Sequence, residues 1–297
     1  LIHKTLIIIT GPTGSGKTSL AIEVAKKYAC EILNCDSRQI YKELGVAVAK
    51  PSKEQLTEVK HHFVSSHSIY EEPVSAGEYA RLAKAKLSEL FKENNYAVLC
   101  GGTGFYISAL IKGFTYKDSI LKSEIRKKVD DLYEKEGIVG LKQAIQNTKP
   151  ALLDRIDNDN PARLRRALEI AYSGEDGFEE LEGKVDLPFT PKLFVLNPDR
   201  EALYNQINLR VEGMVRNGLV SEAKNLEEDI PVALRTIGYS EFFDYFKGEL
   251  TKEEAIDKVK QHSRNYAKRQ LTFSRNQFAD AIWIEPNSAK DVIFAKV

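Results

Sequence analysis

Residues 5–20 read "TLIIITGPTGSGKTSL", and the reading of this stretch decides how the rest of the chain is understood. "TLIIIT" is a short apolar run that predicts a buried strand. Next, Gly11-Pro12-Thr13-Gly14-Ser15-Gly16-Lys17-Thr18 fits GxxxxGK[ST], and "KTSLAIEVAKKY" places apolar residues at helical spacing. A strand, this turn and a helix, in that order, make a phosphate cradle. The glycines let backbone N–H groups turn onto an anion, and the helix adds its positive end. Lys17 reaches phosphate oxygens, and the Thr18 hydroxyl is placed for Mg²⁺. The pattern specifies phosphate, not the chemistry done with it.

Outward from the cradle, strands and helices alternate. "EILNCD" is a second strand ending on Asp36, "AGEYARLAKAKLSELFKEN" an amphipathic helix, and "YAVLC" a third strand running into the turn "GGTG". This alternation predicts an α/β fold with a P-loop NTPase-like parallel sheet flanked by helices, its ligands at the carboxyl ends of the strands. Over 115–191 the texture turns charged and helical, without strands, and reads as an all-helical insertion domain. "KLFVLN" returns to the sheet. More helix follows, then the turn "RTIGYSEF", a long helix over about 252–278 and a last short strand in "AIWIEP". The expected division is a catalytic core of 1–114 with 192–297, and an insertion of 115–191.

Composition narrows the functional classes. A chain of 297 residues, 42% of them hydrophobic, buries a real core, and a formal net charge of zero excludes a globally basic nucleic-acid coat. Any polyanion must be held by a local patch. One candidate lies between Lys258 and Ala279, where Lys258, Lys260, Arg264, Lys268, Arg269 and Arg275 occur with no acidic residue. Lys260, Arg264 and Lys268 are four apart, hence on one helix face, while Val259, Tyr266 and Phe273 mark another. The run reads either as a solvated face or as a contact for RNA phosphates. Three cysteines without CxxC spacing read as reduced thiols of a cytoplasmic protein. No apolar run reaches bilayer length, and "LIHKTLIIIT" is expected to be a strand entering a turn, not a signal peptide. His61 and His62, taken as neighbours on a helix, would not share a face. His62 has no obvious carboxylate partner in sequence, so no histidine metal site is expected.

Two further turns bear on chemistry. Asp36 reads either as a cap or as a base set in a ligand mouth. Gln39 beside it offers the paired donor and acceptor that suit a base edge. P-loop NTPases hold their metal with a second acidic residue, and the natural place for it, after "YAVLC", carries Gly101-Gly102-Thr103-Gly104 instead. That argues against routine ATP hydrolysis.

"GPTGSGKT", "CDSRQIYKEL", "AKPS", "YAVLCGGTGFYISALIKG", "NPARLRRALEI", "LRTIGYSEF" and "AKRQLTFSR" occur in the order of the bacterial tRNA dimethylallyltransferases, which the chain resembles over nearly its whole length. The resemblance implies transfer of a dimethylallyl group from dimethylallyl diphosphate to N6 of the adenosine that follows the anticodon. The tRNAs concerned read codons beginning with U, and diphosphate leaves. It implies that Gly11 to Thr18 grip the diphosphate, with Mg²⁺ on Thr18. Asp36 would act as general base, Thr103 would lie near the amine and the allylic carbon, and Arg210 would clamp the diphosphate. Without the resemblance, Arg210 is one charge on an amphipathic helix, and Thr103 caps the helix that follows it.

The tRNA contacts it implies are Asp36, Ser37, Arg38, Gln39 and Thr103, then Arg126, Ala162, Arg163, Leu164, Arg165 and Arg166 in the insertion. Arg235, Thr236, Ile237, Gly238, Tyr239 and Ser240 form a further turn, and Lys268, Arg269, Gln270 and Arg275 lie on the long helix. The expected partners are the anticodon stem-loop of tRNA and the isoprenoid diphosphate, met by a cytoplasmic monomer without membrane contact. The chain departs from the family at "GVAVAKP" (Gly45 to Ala49), at Gln206 where many members carry arginine, and at Phe273 where many carry tryptophan. "SGEDGFEELEGKVDLPF" is shorter and more acidic than usual. Two rivals remain at this point: a small-molecule or nucleoside kinase, and a nucleotide-gated RNA-binding protein without chemistry.

Overall fold

A computed structural model of the chain describes residues 4–113, 123–173, 187–231 and 235–297. The insertion boundary expected at 115 and most of the acidic stretch over 173–189 lie outside the described residues.

Strand β1 (Thr5–Thr10) is the hub. Leu6, Ile7, Ile8 and Ile9 expose no surface, so both faces of this strand are covered. That is why its sequence is continuously apolar and does not alternate. It pairs in parallel with β4 (Tyr96–Cys100) on one side and β5 (Thr190–Leu196) on the other. With β2 (Ile32–Asn34), β3 (His61–His62) and β6 (Ile282–Ile284), the order is β3-β2-β4-β1-β5-β6, parallel throughout. Parallel neighbours need crossovers. Helix α1 (Lys17–Lys27) supplies Ala21, Ile22, Val24 and Ala25 to a cluster with Ile7, Ile9, Val98 and Phe194. Each such aliphatic side chain is worth about 1.5–3 kcal/mol when fully buried. Helix α3 (Ala76–Glu93), reached after the short α2 (Lys53–Glu58), is started by the Ser75 hydroxyl, which accepts the Glu78 N–H.

The sheet's carboxyl ends gather three turns. Cys35 N–H donates to the Cys100 carbonyl at 2.7 Å, and Gly101 N–H to Ile9 at 3.2 Å. Asp36 therefore reaches the cradle across the end of β4, since β2 does not touch β1. Beyond Thr103, helix α4 (Gly104–Ser108) runs into a π-helical turn.

Contacts divide the chain into two compact units: Leu1–Ile111 with Val185–Val297, and Lys112–Lys184. The second is helical, with α5 (Ser123–Thr148) kinked at Gly137, a 3₁₀ turn over Pro150–Arg155, and α6 (Pro161–Ser173). Val129, Leu141, Ile145, Leu152, Leu164 and Leu168 form its own core. It ends before the expected 191 because β5 already begins at Thr190, whose N–H donates to the Lys4 carbonyl at 2.8 Å.

The C-terminal part of the first unit adds α7 (Arg200–Arg216), α8 (Leu219–Leu226), α9 (Ser240–Phe246), α10 (Lys252–Gln277) and α11 (Ala289–Lys296). Asp199 caps α7, and Thr251 with Glu254 forms a reciprocal capping box on α10. Caps of this kind are worth about 1 kcal/mol each. Leu203 and Ile207 of α7 pack against Ala267 of α10. The sequence reading did not anticipate α2 or α11. It also placed His61 and His62 on a helix, whereas they form the edge strand β3, and His62 does have a carboxylate partner: its Nε2 lies 2.5 Å from Glu31 Oε2. Among the described residues no helix is long and apolar enough to cross a membrane.

Candidate active site

A cavity of about 770 Å³ opens at the carboxyl ends of the strands, lined by the cradle, by residues 36–39, by Gly101 and Gly102, and by α7 and α10. Lys17 sits inside it and donates to the Pro12 carbonyl at 2.7 Å. Burial lowers its pKa from the ordinary 10.5 to about 8, and Arg210 adds to that effect while Asp36 opposes it. Arg210 is not a solvated charge. It donates from Nη1 to the Thr13 hydroxyl at 2.9 Å, and burial depresses its pKa too, with Asp36 again opposing. Two desolvated cations thus share one cavity, and Asp36 is the carboxylate that acts on both. A polyanion is the ligand that relieves that cost. The Ser15 hydroxyl is buried and has no hydrogen-bond partner among the described residues, as suits a donor placed for an anion. Among the described residues the Thr18 hydroxyl, which also lines the cavity, makes no hydrogen bond.

Asp36 uses only one of its carboxylate oxygens within the described residues. Oδ1 accepts the N–H groups of Arg38 and Gln39, at 2.9 and 3.2 Å, while Oδ2 accepts nothing among the described residues. The cap and base readings are therefore compatible, because one oxygen orients the group and the other is available. The Thr103 hydroxyl does not cap α4. It accepts the Ser37 N–H at 3.0 Å and donates to the Ser37 hydroxyl at 3.3 Å, which ties "GGTG" to the Asp36 turn. Gln39, expected to read a base edge, commits its amide nitrogen to the carbonyls of Val48 and Ala49, both at 3.1 Å. It secures the "GVAVAKP" turn. Glu222 holds the same turn from the other side, accepting Val46 N–H at 2.7 Å and Ala47 N–H at 3.0 Å. Sequence reasoning missed Glu222, which is nearly 180 positions away and belongs to no local pattern.

Gln270 changes role most clearly. Its Oε1 accepts the Thr13 N–H at 2.8 Å and its Nε2 donates to the Gly102 carbonyl at 3.0 Å. Both ends of the amide join the cradle to the 101–104 turn, which gives Gln270 a structural tie that the resemblance did not imply. The glycines of that turn permit the approach. A Cβ on Gly102 would come within 2.3 Å of Gln270 Nε2, and one on Gly104 within 2.3 Å of the Phe273 ring. Phe273 packs edge-on against Phe105 at 4.7 Å, so the departure from tryptophan leaves an aromatic contact in place. Gln206 lines the cavity near Arg210 in sequence and space.

The basic run on α10 is split. Lys260 pairs with Glu212 at 2.9 Å, and Arg264 donates to Asn208 at 2.7 Å, so two of the three cations grouped on that face meet α7. The face that lines the cavity carries Val259, His262, Ser263, Tyr266, Arg269 and Gln270. Lys268 is exposed outside it, and Arg275 lies over the Trp283 ring at 5.5 Å. In the 235–240 turn, Arg235, Thr236, Ile237 and Ser240 line the cavity together with Arg38 and Ser37. Gly238 and Tyr239 are buried, and the tyrosine hydroxyl donates to Glu222 at 2.8 Å. The second unit is described by itself. Leu164 is a core residue, Arg165 pairs with Asp130 and lies over Tyr133, and Arg166 donates to Glu169 at 3.2 Å. Arg163 is exposed near the start of α6, beside Ala162, while Arg126 lies on α5. All three cysteines are buried and unpaired, and burial pushes the Cys100 thiol up to about 12.

Residues 39–277 match the model of the family described as IPP transferase. The tRNA dimethylallyltransferase of Flavobacterium johnsoniae is 40% identical, covering 92% of this chain and 91% of that protein. Among solved structures, the full-length tRNA isopentenylpyrophosphate transferase of Bacillus halodurans superposes with a TM-score of 0.71 at 31% identity, over 99% of this chain and 96% of that one. A eukaryotic dimethylallyltransferase acting on tRNA shares the fold, with a TM-score of 0.78 at 24% identity over 95% of this chain and 74% of that one.

Proposed function

Because the chain belongs to the IPP transferase family, we infer that it is a tRNA dimethylallyltransferase whose donor is dimethylallyl diphosphate. Its acceptor is N6 of the adenosine following the anticodon. The observation that carries this reading is one cavity holding a desolvated anion site, formed by Lys17 and Arg210, together with the Asp36 carboxylate, one oxygen of which accepts no hydrogen bond among the described residues.

The diphosphate lies in the cradle, and the adenine, splayed from the anticodon loop, enters from the side of Asp36. As N6 attacks the allylic carbon, the new C–N bond forms while the C–O bond to the diphosphate breaks. The electron pair of that bond leaves with the diphosphate, and the N6 proton passes to Asp36 Oδ2. Lys17, Arg210 and the amino end of α1 stabilise the charge growing on the leaving group. The Thr18 hydroxyl, which makes no hydrogen bond among the described residues, would hold Mg²⁺, and the ion would supply further charge neutralisation there. Thr103, bonded to Ser37, sets the turn that orients the amine. Arg235 and Arg269 on the cavity wall, and Arg163 on the helical unit, supply contacts to tRNA phosphates. A tRNA substrate of this kind is met in the cytoplasm.

The deciding experiment incubates the protein with dimethylallyl diphosphate, Mg²⁺ and unmodified tRNA. Mass spectrometry of the digested RNA is expected to show one five-carbon unit added to that adenosine. Unaltered RNA, with ATP-dependent phosphorylation of a small acceptor, would overturn the reading.

A further inference from the structure

Glu241 and His262 form a pair that no step of the reaction above uses. Glu241 lies in the first turn of α9 and retains 3% of its surface. Both of its carboxylate oxygens are engaged: Oε2 accepts the Gly238 N–H at 2.8 Å, and Oε1 lies 2.6 Å from His262 Nδ1. Against a buried carboxylate, Nδ1 is the nitrogen that carries hydrogen, which fixes the ring's orientation and turns Nε2 away from the pair. The His262 side chain nevertheless keeps 48% of its surface, and it lines the cavity that holds the cradle and Asp36.

His262 is not alone there. Tyr266 and Arg269 follow one and two turns later on α10, on the same face. Both line the cavity, and the guanidinium stands 5.7 Å from the tyrosine ring. Arg235 borders the cavity from the turn before α9, and Ser240 from the first residue of α9. The cavity lining there offers an imidazole, a phenol and two guanidinium groups, with the Asp244 carboxylate also present from α9. That set suits an unstacked, single-stranded RNA segment, with planar faces for bases and donors for the backbone.

We propose that His262, held by the positioning residue Glu241, contacts the RNA, hydrogen-bonding through Nε2 to the segment next to the reacting adenosine. The inference rests on the tRNA-prenylation reading. The competing role is a tie between the 235–240 turn and α10, and side-chain geometry separates the two. Asparagine at 262 retains a donor where Nδ1 lies and so keeps the tie to Glu241, but it has nothing at the Nε2 position. Glutamine places its amide near Nε2.

The test uses the full chain and an unmodified anticodon stem-loop RNA, with fluorescence anisotropy in the absence of donor and steady-state prenylation alongside. His262→Asn is expected to weaken RNA binding about three- to tenfold, the loss of one hydrogen bond. The KM for dimethylallyl diphosphate and the melting temperature should stay unchanged, and His262→Gln should recover part of the affinity. Wild-type RNA affinity in His262→Asn, with only His262→Ala losing thermal stability, would reduce the pair to a tie and overturn the proposal. If the wild-type chain neither binds nor prenylates the stem-loop, the functional reading falls first and this inference falls with it.

Discussion

The Gln270 side chain accepts the Thr13 backbone N–H at 2.8 Å across 257 positions of sequence, while its nitrogen donates to Gly102. One amide thus sets the distance between the glycine loop of 11–18 and the 101–104 turn. Gln270→Ala is expected to raise the KM for dimethylallyl diphosphate and lower kcat together, for a combined loss of about 1–3 kcal/mol in transition-state stabilisation. The Kd for the stem-loop RNA should remain near wild type. A defect confined to RNA affinity would return Gln270 to the role of a tRNA contact.

Asp36→Asn preserves an oxygen for the Arg38 and Gln39 N–H groups, so the turn should hold and the melting temperature should not move. Single-turnover prenylation should slow by about a hundredfold to ten-thousandfold, the usual worth of a general base. RNA affinity should be retained.

Donor binding should be pH-dependent in a specified direction. Lys17 is lowered from 10.5 to about 8 in the free protein, and a bound diphosphate raises it again. Below about pH 8 the ammonium is already present and affinity is full. Above it, binding must take up a proton, and the Kd should rise by about tenfold per pH unit until the pKa of the bound form is passed. Calorimetry in buffers of different ionisation heat measures that uptake directly. In Lys17→Arg the rise should vanish. In the ligand-free protein the same shift makes stability increase between about pH 8 and 10.5, because the unfolded chain there holds a proton that the folded one has released.

Gly104→Ala places a methyl group where the Phe273 ring lies. A loss of about 1–3 kcal/mol is expected from urea unfolding. Combining it with Phe273→Ala should cost less than the sum of the two changes, since the second makes room for the first.

Arg269→Ala should weaken stem-loop binding and reduce its salt dependence by about one counterion, as removal of a phosphate contact does. Lys260→Ala, whose cation already pairs with Glu212, should leave the salt slope unchanged.

The parts of this protein legible in its sequence are those whose cause is local. The β1 run and the turn into α1 over 11–18 depend on causes within a few residues, and the expected strand, turn and helix are all present there. The basic run on α10 shows the limit. Helical spacing groups Lys260 with Arg264, but what faces them is α7, and nothing within the run predicts Glu212 or Asn208. His62 fails in the same way, because its partner Glu31 is adjacent only once β2 and β3 have paired. The family resemblance pointed to residues in the cavity, such as Arg235 and Arg269. It also pointed to Leu164, Gly238, Tyr239 and Gln270, which are buried or bonded within the protein. A motif marks a neighbourhood without saying which of its side chains face outward.

The sheet order has a consequence for biosynthesis. β1 is made first, yet its neighbour β5 emerges about 180 residues later, roughly 9–36 s at common rates of translation. Throughout that interval the apolar β1 keeps one unpaired edge, the state most open to wrong partners. The cavity is finished later still, when Gln270 clears the ribosome. A nascent chain therefore carries the glycine loop of 11–18 long before α10 is made to close the cavity over it.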